Sequence, residues 1–293
     1  MGSPGIIVEP NPPKAWTETI ERGLRNHNLV ATGMIEFYPV VFLVKDAGNN
    51  VLGGAIGNIW GGWLHIRSLW VDKICRGRGY ATGLMAAAER YAIAKGCIAA
   101  FLQTASYEAR PLYEKLGYGV FGELSDHPSK GHNRYYLAKR ELSRIDDGGV
   151  CRDGAKIAMQ PYASFDVQEI IHRGIHNHAS AAIGLPEQMW ATANLFLRDE
   201  NGEIAGGALG NTWGLWLYVS ELWIDPPLRG KGYATKLMSV IEQIAIERGC
   251  VNSYLDTFSF QARPLYEKIG YRVFGTLENH PKGHSHYLLK KSL

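Results

Sequence analysis

The sequence RGRGYA at residues 76–81 returns as RGKGYA at residues 229–234. The flanking sequence returns with it: LWVD at 69–72 matches LWID at 222–225, and ARPLYEK occurs at both 109–115 and 262–268. A repeat of such long period indicates a duplicated domain. In each copy a basic, glycine-rich turn lies between an apolar run and a helix, a pattern that can hold a phosphate.

The length and composition fit this interpretation. The chain has 293 residues, enough for two ordinary domains, and it is 46% hydrophobic and 20% charged, as in globular proteins. A formal net charge of +3 argues against an extended nucleic-acid surface. The sequence has no recognisable signal peptide and no run long enough to span a membrane, so we expect a cytoplasmic protein without a membrane partner.

The four cysteines do not indicate a metal or redox site. Cys75, Cys97, Cys151 and Cys250 form no CxxC pair, and we interpret them as small buried residues. His172 and His176 are four residues apart. The metalloprotease motif has a glutamate between two histidines at this spacing, and none lies between these two. The sequence therefore predicts no metal site. We expect these histidines on a solvated helix face.

The sequence predicts two domains joined by a short linker. Residues 1–142 form the N-terminal domain, 143–155 the linker, and 156–293 the C-terminal domain. The linker contains SRIDDGG at 143–149, which is polar, charged and rich in glycine. Because the linker is short and aromatic residues recur on equivalent hairpins, we expect the two copies to pack as a pseudo-dimer within one monomeric chain.

Hydrophobic periodicity predicts the same order of elements in both copies. A strand is followed by a hairpin around 60–62 or 213–215, then by the glycine-rich turn and a helix with one apolar stripe. A buried strand, a short tyrosine-bearing helix and two final strands complete each copy. Trp60, Trp63, Trp213 and Trp216 lie on the hairpins, where they either pack between the domains or stack on a substrate.

The glycine-rich turn is the candidate phosphate site. A helix N-terminus carries unpaired N–H groups and a partial positive charge. Gly77 and Gly79 allow a phosphate to reach those amides, since no side chain blocks the approach. Basic residues lie beside each turn: Arg76, Arg78, Arg229 and Lys231.

On these motifs each copy resembles the GNAT superfamily of acetyl-CoA-dependent N-acetyltransferases. The pyrophosphate loop of that family reads Arg/Gln-x-x-Gly-x-Gly/Ala, and the residues that match it are Arg76, Gly79, Ala81, Arg229, Gly232 and Ala234. The preceding strand, the following helix and the ARPLYEK segment match as well. The resemblance covers nearly the whole chain except the linker and the segments before each hairpin.

The resemblance implies an α/β (α+β) fold in which each copy is a mixed, splayed β-sheet flanked by helices. It also implies acetyl-CoA as co-substrate, with its pyrophosphate on the loop and its pantetheine arm along the preceding strand. An acceptor amine would attack the thioester directly. The implied acetyl-CoA-binding residues are Leu69, Trp70, Val71, Arg76, Gly77, Arg78, Gly79, Tyr80 and Ala81 in the first copy, and Leu222, Trp223, Ile224, Arg229, Gly230, Lys231, Gly232, Tyr233 and Ala234 in the second.

The resemblance also suggests the residues that move protons. Tyr113 and Tyr266 occupy the position from which the family often protonates the departing thiolate. The alternative for either tyrosine is a core aromatic. Glu221 is the candidate base of the second copy, but its equivalent in the first copy is Ser68, which cannot act as such a base. His65 and Tyr218 form another equivalent pair, and either of them could relay a proton through water.

These differences favour the second copy as the catalytic one. Besides Glu221, the second copy has Gln261 where the first has Glu108, and a carboxylate is a poorer neighbour for an anionic cofactor. The predicted activity is acetylation of a small-molecule primary amine, by analogy with tandem bacterial enzymes that confer antibiotic resistance. The alternatives are a protein or peptide N-acetyltransferase and a non-catalytic acetyl-CoA sensor or scaffold.

Overall fold

The computed structural model describes residues 4–142, 157–160, 164–184 and 189–293. The whole predicted linker, 143–155, which includes Cys151, lies outside the described residues. No helix in the described part of the chain is both long enough and apolar enough to cross a membrane.

The first sheet has the strand order β6-β7-β5-β4-β3-β2-β8. Its strands are β2 (Phe37–Lys45), β3 (Val51–Trp60), β4 (Trp63–Val71), β5 (Ala99–Ala105), β6 (Gly119–Ser125), β7 (Asn133–Lys139) and β8 (Ile157–Met159). All neighbours pair antiparallel except β4 and β5, which are parallel. The sheet is therefore mixed, as predicted.

The second sheet repeats this order as β14-β15-β13-β12-β11-β10-β1, with β9 paired to β11. Its strands are β1 (Gly5–Val8), β9 (Trp190–Thr192), β10 (Leu195–Arg198), β11 (Ile204–Trp213), β12 (Trp216–Ile224), β13 (Asn252–Phe258), β14 (Arg272–Glu278) and β15 (Ser285–Ser292). Again one pair is parallel, β12 with β13. The predicted hairpins are present in both repeats as β3–β4 and β11–β12.

Helices flank both sheets. They are α1 (Lys14–Thr32), α2 (Tyr80–Ala94), α3 (Arg110–Lys115), α4 (Phe165–Ile183), α5 (Tyr233–Glu247) and α6 (Arg263–Lys268). The apolar stripe of α5 is fully buried at Leu237, Ile241 and Ala245, which pack in the core of the second half. The predicted fold class is confirmed: two splayed mixed sheets flanked by helices.

The splay opens where the two parallel strands separate. In the second half β12 and β13 are paired only from Trp216–Val219 to Asn252–Leu255, although both strands continue further. A β-bulge lies at the same level, between Leu209 and Gly210 of β11. Beyond it, the β12 edge that faces away from β11 is left without a strand partner, so its N–H and C=O groups face a cleft. β4 and β5 open in the same way in the first half.

The first strand and helix of each repeat complete the sheet of the other repeat. β1 pairs with β10 and α1 packs on β11 and β12, whereas β8 pairs with β2 and α4 packs on β3 and β4. Gly23 of α1 lies against Trp223, and Gly174 of α4 lies against Trp70; a Cβ at either glycine would overlap the indole. The exchange therefore depends on two close helix-to-sheet contacts.

The division by sheets thus differs from the sequence-based division at 142 and 156. β1 and α1 lie in the first repeat but complete and cover the second sheet, and β8 and α4 complete and cover the first sheet. The repeat boundary follows the duplicated sequence, whereas the sheets follow the long-range pairing of β1 and β8. Periodicity does not report such pairing.

A reciprocal loop exchange also joins the halves. The Trp63 indole Nε1–H donates to Asn279 O at 2.8 Å, and the Trp216 Nε1–H donates to Asp126 O at 2.8 Å. Leu277 packs in a cluster with Trp63 of the other half. The buried Trp63 and Trp216 thus pack between the halves, which form a pseudo-symmetric pair.

Candidate active site

The glycines of the two glycine-rich turns have positive φ angles. Gly77 and Gly79 have φ values of 79° and 86°, and Gly230 and Gly232 have 74° and 83°. Side chains rarely adopt these values, so glycine is the residue that fits. Apart from the adjacent chain, no heavy atom of the described residues lies within 4 Å of a Cβ built on any of the four glycines. The space beside each glycine is therefore open, and the amides of the turn are accessible.

An arginine ties each turn to the end of the preceding strand. Arg76 Nε donates to Val71 O at 3.2 Å, and Arg229 Nε donates to Ile224 O at 2.9 Å. Both arginines remain largely exposed. Each one therefore fixes the turn and keeps a positive charge beside the open glycine amides.

Each turn borders a cleft at the splay of its sheet. The first cleft has a volume of about 740 Å³ and the second about 1120 Å³. Predicted acetyl-CoA-binding residues that line the first cleft are Leu69, Trp70, Val71, Arg76 and Ala81. Those that line the second cleft are Leu222, Trp223, Ile224, Arg229, Gly230, Gly232, Tyr233 and Ala234.

The other predicted loop residues lie at the rim or in the core. Gly77, Arg78 and Gly79 are exposed in the first turn, as is Lys231 in the second. The Tyr80 side chain is buried in the core of the first half, so only its backbone can serve a ligand.

Each cleft contains its predicted tyrosine. Tyr113 and Tyr266 are buried and line the first and second clefts, respectively. Burial raises the pKa of both phenols above the usual range, with a further contribution from Glu108 at Tyr113 and from Asp256 at Tyr266. Both side chains are therefore protonated at neutral pH and able to donate a proton.

The predicted base lies in the second cleft. Glu221 is half-buried, and its Oε2 has no hydrogen-bond partner among the described residues. Burial, together with repulsion from Glu21, raises the pKa of Glu221 to about 7 against the opposing effect of Arg25. Ser68, its equivalent, lines the first cleft. Only Glu221 of this pair can accept a proton near neutral pH.

The exchanged helices give the two clefts different walls. α1 contributes Glu21 and Arg25 to the second cleft, whereas α4 contributes His172 and His176 to the first. His172 and His176 are exposed, as expected for a solvated face near the cleft. The sequence did not reveal the role of α1, because Glu21 and Glu221 are far apart in the chain and carry no shared motif.

Glu108 and Gln261 have the same structural role. Glu108 Oε2 accepts from Ala105 N at 2.8 Å, and Gln261 Oε1 accepts from Phe258 N at 2.9 Å. Each side chain also accepts a threonine hydroxyl and so caps the end of a cleft strand. The first cleft consequently carries a carboxylate where the second carries an amide.

Asp256 is a functional candidate that the sequence interpretation missed. Its Oδ1 accepts from the Tyr218 hydroxyl at 3.0 Å, and its Oδ2 lies 2.9 Å from His286 Nε2. Burial opposes ionisation, but the contacts with His286 and Tyr218 outweigh it and hold the pKa of Asp256 below its usual range. Asp256 is therefore an anion. An alignment of the two repeats would have drawn attention to it, because Gln103 stands at the equivalent position.

The relay candidates His65 and Tyr218 line a cavity between the halves and are not part of either cleft lining. His65 stacks on Phe101 with ring centroids 4.2 Å apart. Burial lowers the pKa of His65 to about 3, so the ring is neutral. Among the described residues no group of three or more histidine, cysteine or acidic side chains could hold a metal ion.

Comparison with known proteins defines the class of enzyme. The model of the Acetyltransferase (GNAT) family matches residues 11–118 and 166–271, which together are more than half of the chain. The chain belongs to this family and is an acetyltransferase. The family uses acetyl-CoA.

The three relatives described next each match less than half of the chain. Blasticidin-S acetyltransferase from Streptomyces morookaense is 37% identical over 109 residues, covering 37% of this chain and 78% of that protein. An acetyltransferase from Agrobacterium fabrum is 36% identical over 98 residues, covering 33% of this chain and 72% of that protein. The crystal structure of a Bacillus cereus acetyltransferase is 35% identical, with a TM-score of 0.42, and covers 45% of this chain and 95% of that one.

Proposed function

We propose that this protein transfers the acetyl group of acetyl-CoA to a primary amine of a small molecule, and that the second cleft carries out the reaction. The observation that carries the proposal is the Glu221 carboxylate. It is half-buried, has an unpaired oxygen among the described residues, and lies in one cleft with the glycine turn and Tyr266. A base, a phosphate cradle and a proton donor thus line the same cleft.

Acetyl-CoA binding would use the same elements in both clefts. The open amides at Gly230 and Gly232 would receive the pyrophosphate, with Arg229 and Lys231 supplying positive charge. The free edge of β12 at Leu222–Ile224 would pair with the amide groups of the pantetheine arm. The equivalent residues of the first half, Leu69–Val71 and the turn 76–81, fit acetyl-CoA in the same way.

The reaction would proceed by direct attack of the amine. Glu221 accepts a proton from the amine, directly or through water, and so supplies a neutral nucleophile. The amine nitrogen forms a bond to the thioester carbonyl carbon, while a backbone N–H of β12 stabilises the charge on the carbonyl oxygen. The C–S bond would then break, Tyr266 would donate its proton to the departing sulfur, and the acylated nitrogen would release its extra proton, which returns to Tyr266 through water.

The first cleft would bind acetyl-CoA without efficient catalysis. Ser68 replaces the base, and Glu108 adds negative charge near the cofactor. Tyr113 is still present, so the first cleft lacks the proton acceptor but retains the donor. We infer that one repeat has kept the chemistry while the other has kept the binding fold.

A small-molecule acceptor is favoured over a peptide because a cavity of about 450 Å³ adjoins both clefts. Such a volume falls within the range of about 300–1,000 Å³ typical of small-molecule sites. The similarity to a protein named blasticidin-S acetyltransferase supports an amine-bearing antibiotic as the acceptor. Acetylation of an antibiotic amine would confer resistance.

A screen with purified protein tests the proposal. The protein is incubated with acetyl-CoA and a panel of amines that includes aminated antibiotics, peptides and basic proteins, and the products are analysed by mass spectrometry. We expect acetylated small molecules. Acetylation of peptides alone would favour the protein N-acetyltransferase. If no product forms although acetyl-CoA raises the melting temperature, the sensor or scaffold function is favoured.

A further inference from the structure

The cavity between the halves is separate from the two clefts but shares walls with both. Asp256 and Phe258 line the cavity and the second cleft. Gln103 and Arg134 line the cavity and the first cleft. We call this cavity the central chamber. A molecule bound in the chamber lies next to both clefts, so the chamber can hold an acceptor.

The chamber walls are mainly aromatic. The large rings that line it include Trp60, Phe101, Trp190, Trp213, Tyr254 and Phe258. Aromatic faces attract planar molecules and, through their negative π-electron density, organic cations. The walls therefore favour a planar or cationic guest over an aliphatic neutral one.

The charges of the chamber differ between its two sides. Asp256 is the only carboxylate among the described residues that line it, and 34% of its side chain is exposed. Gln103 stands at the position equivalent to Asp256, and Arg134 stands at the position equivalent to His286. Arg134 Nη1 donates to the Tyr254 hydroxyl at 3.0 Å. A cation is thus attracted to the side next to the second cleft and repelled from the side next to the first.

His127 and His280, two of the histidines that line the chamber, carry no charge. Burial is the main cause that lowers the pKa of His127 and His280 well below the usual range, with contributions from Arg134 and His286, respectively. Both rings are therefore neutral. The Tyr218 hydroxyl and His286 Nε2 each donate to one Asp256 oxygen, and the carboxylate, with 34% of its side chain exposed, keeps further acceptor positions for a guest.

We propose that the central chamber is the acceptor site, that the acceptor is an aromatic or planar molecule with a positively charged amine, and that Asp256 binds its positive charge. This inference rests on the proposed acetyltransfer in the second cleft and specifies the acceptor class. Asp256 directs the cationic group towards Glu221 and Tyr266, and Arg134 disfavours the opposite orientation.

Binding of two matched probes tests the proposal without acetyl transfer. Benzylamine is a planar cation at neutral pH, and benzyl alcohol is its neutral analogue. Both are titrated into the protein in the absence of acetyl-CoA, and binding is followed by tryptophan fluorescence and calorimetry. We expect benzylamine to bind about tenfold more tightly than benzyl alcohol, because only the cation gains a charge-assisted contact with Asp256.

Two substitutions at the chamber complete the test. Asp256→Asn is expected to remove the preference for benzylamine, whereas Glu200→Gln, which removes the same charge on an exposed turn, is expected to keep it. Gln103→Asp changes an exposed side chain and is expected to tighten benzylamine binding about threefold or more without affecting benzyl alcohol. Gln103→Asp tests the assignment of the chamber if Asp256→Asn does not fold.

The outcomes distinguish this inference from the proposed function. A benzylamine preference that survives Asp256→Asn, or one that Gln103→Asp leaves unchanged, overturns the assignment of the chamber. Absence of binding by either probe to the wild-type protein overturns it too. A protein that binds benzylamine through Asp256 but acetylates no amine supports the chamber and contradicts the proposed reaction.

Discussion

The two clefts share the geometry of their glycine turns and differ in the titratable side chains that line them. Both have glycine turns with positive φ and open space in front, and both have a buried tyrosine. Only the second has a glutamate on the cleft strand and an aspartate at its boundary with the chamber. On the proposed function, duplication kept the fold and the glycine turn in both copies, while the groups proposed for chemistry are complete in one copy.

The largest effect is expected at the position of the proposed base, which is Glu221 in the second cleft and Ser68 in the first. Glu221→Gln should lower kcat by about 10²–10⁴-fold, because it removes a general base without changing the size of the side chain. Ser68→Ala, the matched change in the first cleft, should leave the rate within about twofold. Steady-state kinetics with an accepted amine measures both, and equal losses would contradict a division of labour.

The next largest effect is expected at the two cleft tyrosines, whose substitution should change turnover to different extents. Tyr266→Phe should lower kcat by about 10–100-fold, because the thiolate then departs without a proton donor. The affinity for acetyl-CoA, measured by calorimetry, should stay nearly unchanged. Tyr113→Phe should have little effect on turnover. A loss of acetyl-CoA affinity in Tyr266→Phe would instead identify this tyrosine as a packing residue.

The pH dependence should report Glu221. The pKa of Glu221 is raised to about 7, and the base acts when it is ionised. Therefore kcat/KM should increase as the pH rises through about 7 and should be low at more acidic pH. Glu21→Gln removes a repelling charge and should move this limb to lower pH, whereas Arg25→Gln should move it to higher pH. A limb that neither variant moves would assign the titration to another group.

The smallest expected effect concerns the exchanged helices. Alanine at Gly23 would gain about 1 kcal/mol of helix propensity, but its overlap with Trp223 should cost about 1–3 kcal/mol. Gly174→Ala should produce the same overlap with Trp70. We expect both variants to melt at lower temperature, but only Gly23→Ala to raise the acceptor KM, by a few-fold. If Gly174→Ala alone impairs the enzyme, the catalytic cleft is the first.

The sequence predicted the features that depend on local pattern. The repeat identified the duplicated elements, and the glycine turns, the hairpins and the tyrosine-bearing helices all lie where hydrophobic periodicity placed them. Backbone rules apply within a few residues, so such features can be derived from one sequence.

The features that the sequence missed depend on contacts between distant residues. Neither the pairing of β1 with β10 nor the contact of α1 with the second cleft has a local signature. The environment of Glu221 is set by Glu21, which lies in the other repeat, so its raised pKa could not be foreseen. The chamber likewise lies between the two halves, whose loops contact each other across long distances in the sequence.

Blocking one phosphate cradle at a time tests the division of labour most directly. Gly79→Glu and Gly232→Glu place the same bulky negative charge at equivalent positive-φ sites, so strain and charge are matched between the two variants. Acetyl transfer and acetyl-CoA stoichiometry are measured on both proteins. We predict that Gly232→Glu abolishes transfer and that Gly79→Glu retains most of it, with each variant losing one acetyl-CoA site. Loss of transfer in Gly79→Glu alone, or about half of the activity in both variants, would contradict the assignment of catalysis to the second cleft.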